Sequence, residues 1–373
     1  MECVTTFNAP YNLTKKELYE KVLSDIKAGN TGTINADLYR AYSENLKRAV
    51  SGVLQSGEYG SRYYDMQQQF EANVSRFSAY KAYHATQLLQ HNSDPKVQKA
   101  ILNTFNRYQA AEYNTSIARA RTAKQWNDFN ADPISNELYP NIMWLPSRSA
   151  NPREEHRIFW NKVWAKNDPF WSQNQPGNLW NCKCDWEETD EPVSGGTYNY
   201  TPPAGLEGNP AETGEIFTDK ASYFSKTTEN EKEIIINKYH TITKKQYRES
   251  LKTLYGKTTG VYLEAKNMVS VEYNSRGINH LINDMRGDDR CYIKNQIISE
   301  IDKYLENGKC VAWALNDKPT TKPNAYKYYY FQITLPDGKP AFLTVEESIQ
   351  RKFTLYSITN TLRQKTNIIK SSA

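Results

Sequence analysis

Two groups of residues in this 373-residue chain combine types and spacings that do chemistry. The first is the pair Cys182 and Cys184 inside NDPFWSQNQPGNLWNCKCDWEE (167–188), with His156 lying 26 residues before Cys182. Two thiolates on a tight turn face one ion, an imidazole adds a third donor, and Asp168 or Asp185 supplies a fourth; tetrahedral zinc accepts such a mix of sulfur, nitrogen and oxygen. The same residues also suit a plainer role, as small apolar side chains beneath Trp171, Trp180 and Trp186. The expectation is a small module pinned either by a structural zinc or by packing alone.

The second group lies near the C-terminus and suits metal-independent RNA cleavage. That reaction needs a group to take the 2'-OH proton, a group to protonate the leaving oxygen, and cations or donors to hold the phosphate. His280 is the natural proton carrier, because imidazole ordinarily titrates near neutral pH. Arg276 stands four residues earlier, on the same face of an expected helix, and is placed to hold a phosphate. Lys327 and Tyr329 on one strand, with Ser357 and Thr359 on another, supply the remaining donors. His240, in KYHTITKKQY with three lysines close by, is the rival proton carrier. Other chemistries lack their signatures: the chain has no G-x-x-x-x-G-K-[ST] loop, G-x-S-x-G elbow, H-E-x-x-H or G-x-G-x-x-G.

The elements that must carry these residues fall into three regions. Apolar positions at helical spacing predict helices over residues 12–30, 36–55, 65–91 and 95–129, the first opened by a Thr14/Glu17 capping box and closed at Gly29. Their stripes are only weakly apolar, since Gln, Asn, Tyr and Ser are frequent. After Asp132-Pro133 the periodicity is lost, and short strands and turns are expected. Residues 187–214 are dense in Pro, Gly, Thr and Glu and read as a linker or extended arm. Beyond it, helices are expected over 229–255, 277–285 and 292–306, strands within 261–273, and four further strands at 309–315, 326–335, 340–347 and 353–359, with a hairpin turn at Asp337-Gly338. The fold class is α+β multidomain: a helical N-terminal region (1–131), a small irregular Trp/Cys module (132–224) and a basic α+β domain with an antiparallel sheet (225–373).

Charge divides along the same lines. Residues 1–224 carry 23 Lys+Arg against 26 Asp+Glu, whereas residues 225–373 carry 24 against 16. A basic domain attached to a near-neutral one implies a polyanion, nucleic acid, as the partner of that domain. The longest apolar run, VAWAL at 311–315, is far too short for a membrane span. The opening residues show no basic start followed by an apolar core, so no secretory signal is expected.

Four segments in fixed order, SRSANPREEH, NDPFW, PGNLWNCKC and GLEGNPAETGEIF, resemble the signature of phage minor head proteins typified by the Mu F protein. The resemblance rests on Arg148, Arg153 and His156; Asp168 to Trp171; Pro176, Gly177, Asn181, Cys182 and Cys184; and Gly205, Asn209, Pro210 and Phe217. It covers roughly residues 95–224. It implies a virion protein of the capsid interior or portal region, present in few copies, assembled from the host cytoplasm with portal or capsid proteins as partners. It implies head morphogenesis or DNA delivery and no reaction. Residues 276–360, with RGINHL on a helix ahead of a strand-rich sheet, loosely resemble the barnase, EndoU, colicin and RelE group of ribonucleases, which implies a nuclease-like effector. Glu346 and Glu347 are adjacent rather than spaced, which argues against ADP-ribosyl transfer. The alternatives are a purely structural virion protein whose basic tail binds packaged DNA without catalysis, and a toxin carried by a prophage.

Overall fold

The computed structural model describes residues 14–264, 267–362 and 366–369. Cys3, the opening residues, positions 12–13 of the first expected helix and positions 265–266 of the expected strand pair lie outside them. The chain divides into two compact units, Met1–Ile235 and Ile236–Ala373. The fold is α+β, as the sequence indicates, with helices dominating the N-terminal part and a mixed sheet in the C-terminal part.

In the first unit four helices form from the expected stripes: α1 (Lys15–Lys27), α2 (Ala36–Leu54), α3 (Tyr64–Gln90) and α4 (Pro95–Ala131). Their starts follow from side chains that satisfy free backbone N–H groups. Thr14 and Glu17 form the capping box of α1, Asn35 caps α2, and Asp94 followed by Pro95 opens α4. The weak stripes are supplemented by polar contacts in the interior. Lys81 of α3 is fully buried, donates to Gln109 Oε1 at 2.9 Å and to Glu112 on α4, and lies 4.5 Å from the centre of the Tyr42 ring. Burial pushes the Glu112 carboxyl up, and Lys81 opposes that rise. Such a pair fixes the register of two helices rather than adding much stability.

The Trp/Cys module is built on a three-stranded antiparallel sheet, β1 (Asn141–Leu145) between β2 (Val163–Ala165) and β3 (Asp185–Thr189). One face gathers Ile142, Trp144, Phe159, Trp164, Trp171, Cys184 and Trp186 into a core in which Trp164 stacks on Phe170 at 3.9 Å. Trp180 stands apart from it: its ring stacks 5.7 Å from Phe217. The Pro/Gly-rich stretch lies along the unit, with Leu206 and Asn209 fully buried. Arg119 of α4, itself fully buried, donates to Asn178 Oδ1 at 2.5 Å and to the carbonyl oxygens of Leu206, Glu207, Gly208 and Glu215 at 2.7–3.3 Å. Gly177 adopts a left-handed φ of 99°, and a Cβ there would stand 3.2–3.3 Å from Arg119 and Ala118. The PG step before the cysteines is therefore where the loop presses on α4.

The second unit carries a seven-stranded sheet in the order β10-β6-β7-β8-β9-β5-β4: β4 (Thr258–Glu264), β5 (Asn267–Glu272), β6 (Lys309–Leu315), β7 (Ala325–Thr334), β8 (Pro340–Ser348), β9 (Phe353–Thr359) and β10 (Asn367–Ile368). Its pairs are antiparallel except β5 with β9, which run parallel through Val271/Phe353 and Glu272/Thr354. One helix, α5 (Glu229–Lys252), spans the division of the units, and α6 (Ser275–Asp284) packs on β9. The single helix expected over 292–306 is instead α7 (Cys291–Gln296), a turn of 3-10 helix at Ile298–Glu300, and α8 (Ile301–Asn307). Its isoleucines are buried, so the apolar pattern is retained while the axis breaks.

Candidate functional site

His156 sits buried on a 3-10 turn, Glu154–Phe159, and Cys182 and Cys184 flank Lys183 where the chain enters β3. The Tyr200 hydroxyl donates to the Asn178 carbonyl at 3.2 Å, so toward His156 Nε2, 2.9 Å away, it can only accept. The proton of the imidazole is thereby placed on Nε2, and the Nδ1 lone pair faces Cys182 Sγ at 3.4 Å and Cys184 Sγ at 3.8 Å. The Cys182 thiol hydrogen-bonds Cys184, and this contact holds the Cys184 thiol down to about 5 while Cys182 is pushed up. The three donor atoms lie within 4.8 Å of one another and could hold a metal ion.

Both aspartates considered as a fourth ligand are engaged elsewhere. Asp168 Oδ1 accepts from the Phe170 N–H at 2.8 Å and starts a short helical turn. Asp185 accepts from Gln125 Nε2 at 3.2 Å and pairs with Arg148 at 3.1 Å. Among the described residues the metal-capable group is His156, Cys182 and Cys184.

In the second unit the charged groups converge on one tyrosine ring. A bulge between Thr344 and Val345 pairs Thr344 with Ser357 and Val345 with Leu355, leaving Tyr356 as the extra residue of β9. His280 of α6 stacks on the Tyr356 ring at 3.7 Å, with Asp284 Oδ2 3.1 Å from its Nδ1. Arg276, one turn earlier, lies 5.7 Å from the same ring and pairs with Glu346 of β8. Lys322 Nζ donates to the Tyr356 hydroxyl at 2.7 Å. Glu346 is 4% exposed, and its Oε2, like the Thr344 hydroxyl two residues away on the same face, is buried with no hydrogen-bond partner among the described residues. A hydrogen bond offsets the cost of burying a carboxylate oxygen, and the Arg276 pairing supplies one to the other oxygen of Glu346.

Residues 242–354 match the family model of large polyvalent protein-associated domain 3. The match points to a phage-associated protein. No curated protein and no solved structure matches the chain. The polyvalent-protein-associated stretch includes Arg276, His280, Lys322 and Glu346, and ends two residues before Tyr356.

Within this domain the other sequence candidates divide between the two faces of the sheet and its end. Lys327 neighbours Tyr328 on β7 and so points to the opposite face, where its Nζ lies 4.3 Å from the centre of the Trp313 ring. Tyr329 shares that face and donates to Glu347 at 3.1 Å. Ser357 is buried opposite Thr344, and the Thr359 hydroxyl donates to the Thr361 carbonyl at 2.9 Å. Glu346, Lys322, Tyr356 and Asp284 join the cluster without having been singled out by the sequence as site residues.

Gly277 explains how α6 comes so close. A Cβ at this position would lie 2.1 Å from the Leu355 carbonyl oxygen and 2.8 Å from Thr354. Gly277→Ala must therefore lift the helix off β9. The expected cost is about 1–3 kcal/mol of stability, read by denaturant unfolding, together with displacement of Arg276 and His280.

His240 is buried on α5, and burial first, then Lys244 and Arg286, lowers its pKa to about 4. Its folded value lies below the ordinary 6.5, so its contribution is complete above that pH and is lost as the pH falls toward about 4. That contribution is on the order of 3 kcal/mol. His240→Leu should flatten this part of the stability profile between pH 7.5 and 4.5; an unchanged slope in urea titrations would refute the assignment.

Proposed function

We propose that this phage-associated protein is a minor head protein of the Mu F-like kind, located in the capsid interior or portal region, and that its basic C-terminal domain cleaves RNA without a metal. The observation that supports the reading most is the cluster on Tyr356, which joins a buried carboxylate, an imidazole backed by an aspartate, and two cations. In this reading the free Oε2 of Glu346 accepts the 2'-OH proton as the 2' oxygen attacks phosphorus. The P–O5' bond breaks, His280 delivers a proton to the leaving oxygen, and Arg276 and Lys322 hold the phosphate. The products are a 2',3'-cyclic phosphate and a 5'-OH. The basic composition of residues 225–373 favours this polyanionic substrate.

The head assignment is supported by the order of the four motif segments, and the phage-associated domain agrees with it. Portal or capsid proteins are the proposed partners of the first unit. Among the described residues no helix is long and apolar enough to cross a membrane.

In the same reading the His/Cys/Cys group binds zinc as a structural pin. Zinc–sulfur and zinc–nitrogen bonds of about 2.3 and 2.0 Å at a tetrahedral angle separate sulfur from nitrogen by about 3.5 Å; the observed 3.4 and 3.8 Å bracket that distance.

The test is incubation of the full chain with total RNA and tRNA in EDTA. Turnover is expected. Nucleic-acid binding without turnover, lost steeply as salt rises, would favour a structural tail on packaged DNA instead.

A further inference from the structure

We propose that the zinc centre is open: one coordination position faces the adjoining cavity and takes an oxyanion. This rests on the zinc reading above. Tetrahedral zinc takes four ligands, and the group among the described residues provides three. The same three residues line a cavity of about 320 Å³, ample for a hydrated anion of phosphate size. A closed structural site packs its fourth ligand against the ion and leaves no such space beside it.

The wall of the cavity decides the charge of the occupant. Beyond the ligands, its charged residues are Arg153 and Lys183, and no aspartate or glutamate lines it. Neither cation is engaged in an ion pair among the described residues. Zinc with two thiolates and a neutral imidazole carries no net charge, so the ion and its surroundings together are cationic. Ser147, Asn151 and Asn181 add hydrogen-bonding groups to the same wall. An oxyanion is therefore favoured by charge and by donors alike. Asn181, at a left-handed φ of 58°, belongs to the turn closed by the Cys182 N–H to Leu179 carbonyl bond, which delivers Cys182 to the cavity edge.

The experiment loads the full chain with Co²⁺ under reducing conditions and follows its absorption. One equivalent should bind with sulfur-to-cobalt charge transfer. Inorganic phosphate and acetate, titrated separately, should each be scored for a saturable shift of the ligand-field bands; a shift with either supports an open oxyanion position and tells the two chemistries apart. Arg153→Ala, which removes no metal ligand, should weaken the effective anion about tenfold while leaving the charge-transfer band unchanged. Cobalt bound with a spectrum indifferent to both anions would overturn the open position and leave the zinc pin standing. If the chain as purified carries no zinc, binds no cobalt and is as stable with Cys182→Ser as without it, the zinc reading itself fails, and the open position with it.

Discussion

His280→Ala should lower the rate of RNA cleavage by the full chain about 10²–10⁴-fold, the range for loss of a positioned general acid or base. Glu346→Gln should cause a loss of similar size, because the amide keeps the shape of the carboxylate but cannot accept the 2'-OH proton. The two changes should be strongly non-additive in combination, since both act on one transition state. Lys327→Ala provides the contrast. Its side chain lies over Trp313 on the other face of the sheet, and its removal should change the rate little. Equal losses from Lys327→Ala and His280→Ala would indicate that the effect is on RNA binding or folding, not on chemistry at Tyr356.

The second large effect concerns the first unit. Arg119→Ala should destabilise it by about 3–5 kcal/mol, because one buried guanidinium satisfies Asn178 and four carbonyl oxygens of the 206–215 segment. For a unit of this size that is a fall of about 10 °C in melting temperature. Arg119→Lys should recover little of it, since a single ammonium cannot span the fork of acceptors. Tryptophan fluorescence during thermal unfolding reads the result, as Trp180 stacks on Phe217, two residues beyond the segment that Arg119 holds. A melting temperature unchanged in Arg119→Ala would show that the segment is held by other contacts.

The elements were largely legible because their signals are local. Leu38, Tyr42, Leu46, Ala49 and Val50 fall at helical spacing on α2 and are buried there, and the four strand patterns at 309–359 each became a strand. The metal-capable group was legible too, since Cys182 and Cys184 share a turn and His156 is one of few histidines in the chain. Arg276 and His280 were paired by helical spacing alone. What the sequence concealed depends on register. Glu346 reaches Arg276 only because β8 lies beside β9, and Tyr356 is presented to His280 by a bulge that no local pattern announces. Lys327 shows the converse: one residue's difference along β7 sends a side chain to the other face. Arg119 was passed over because an arginine on a helix is ordinarily solvated, and its burial follows from a loop more than 50 residues away in sequence.

The central claim is that the groups around Tyr356 cleave RNA by attack of the 2'-OH. It is tested most directly by mapping the ends produced when the full chain, in EDTA, acts on a short labelled RNA and on the same RNA with one 2'-deoxy position. The account predicts 2',3'-cyclic phosphate and 5'-OH ends, no cut at the deoxy position, and no products with His280→Ala. Intact RNA with the wild-type chain, or a cut at the deoxy position that persists in His280→Ala, would contradict it.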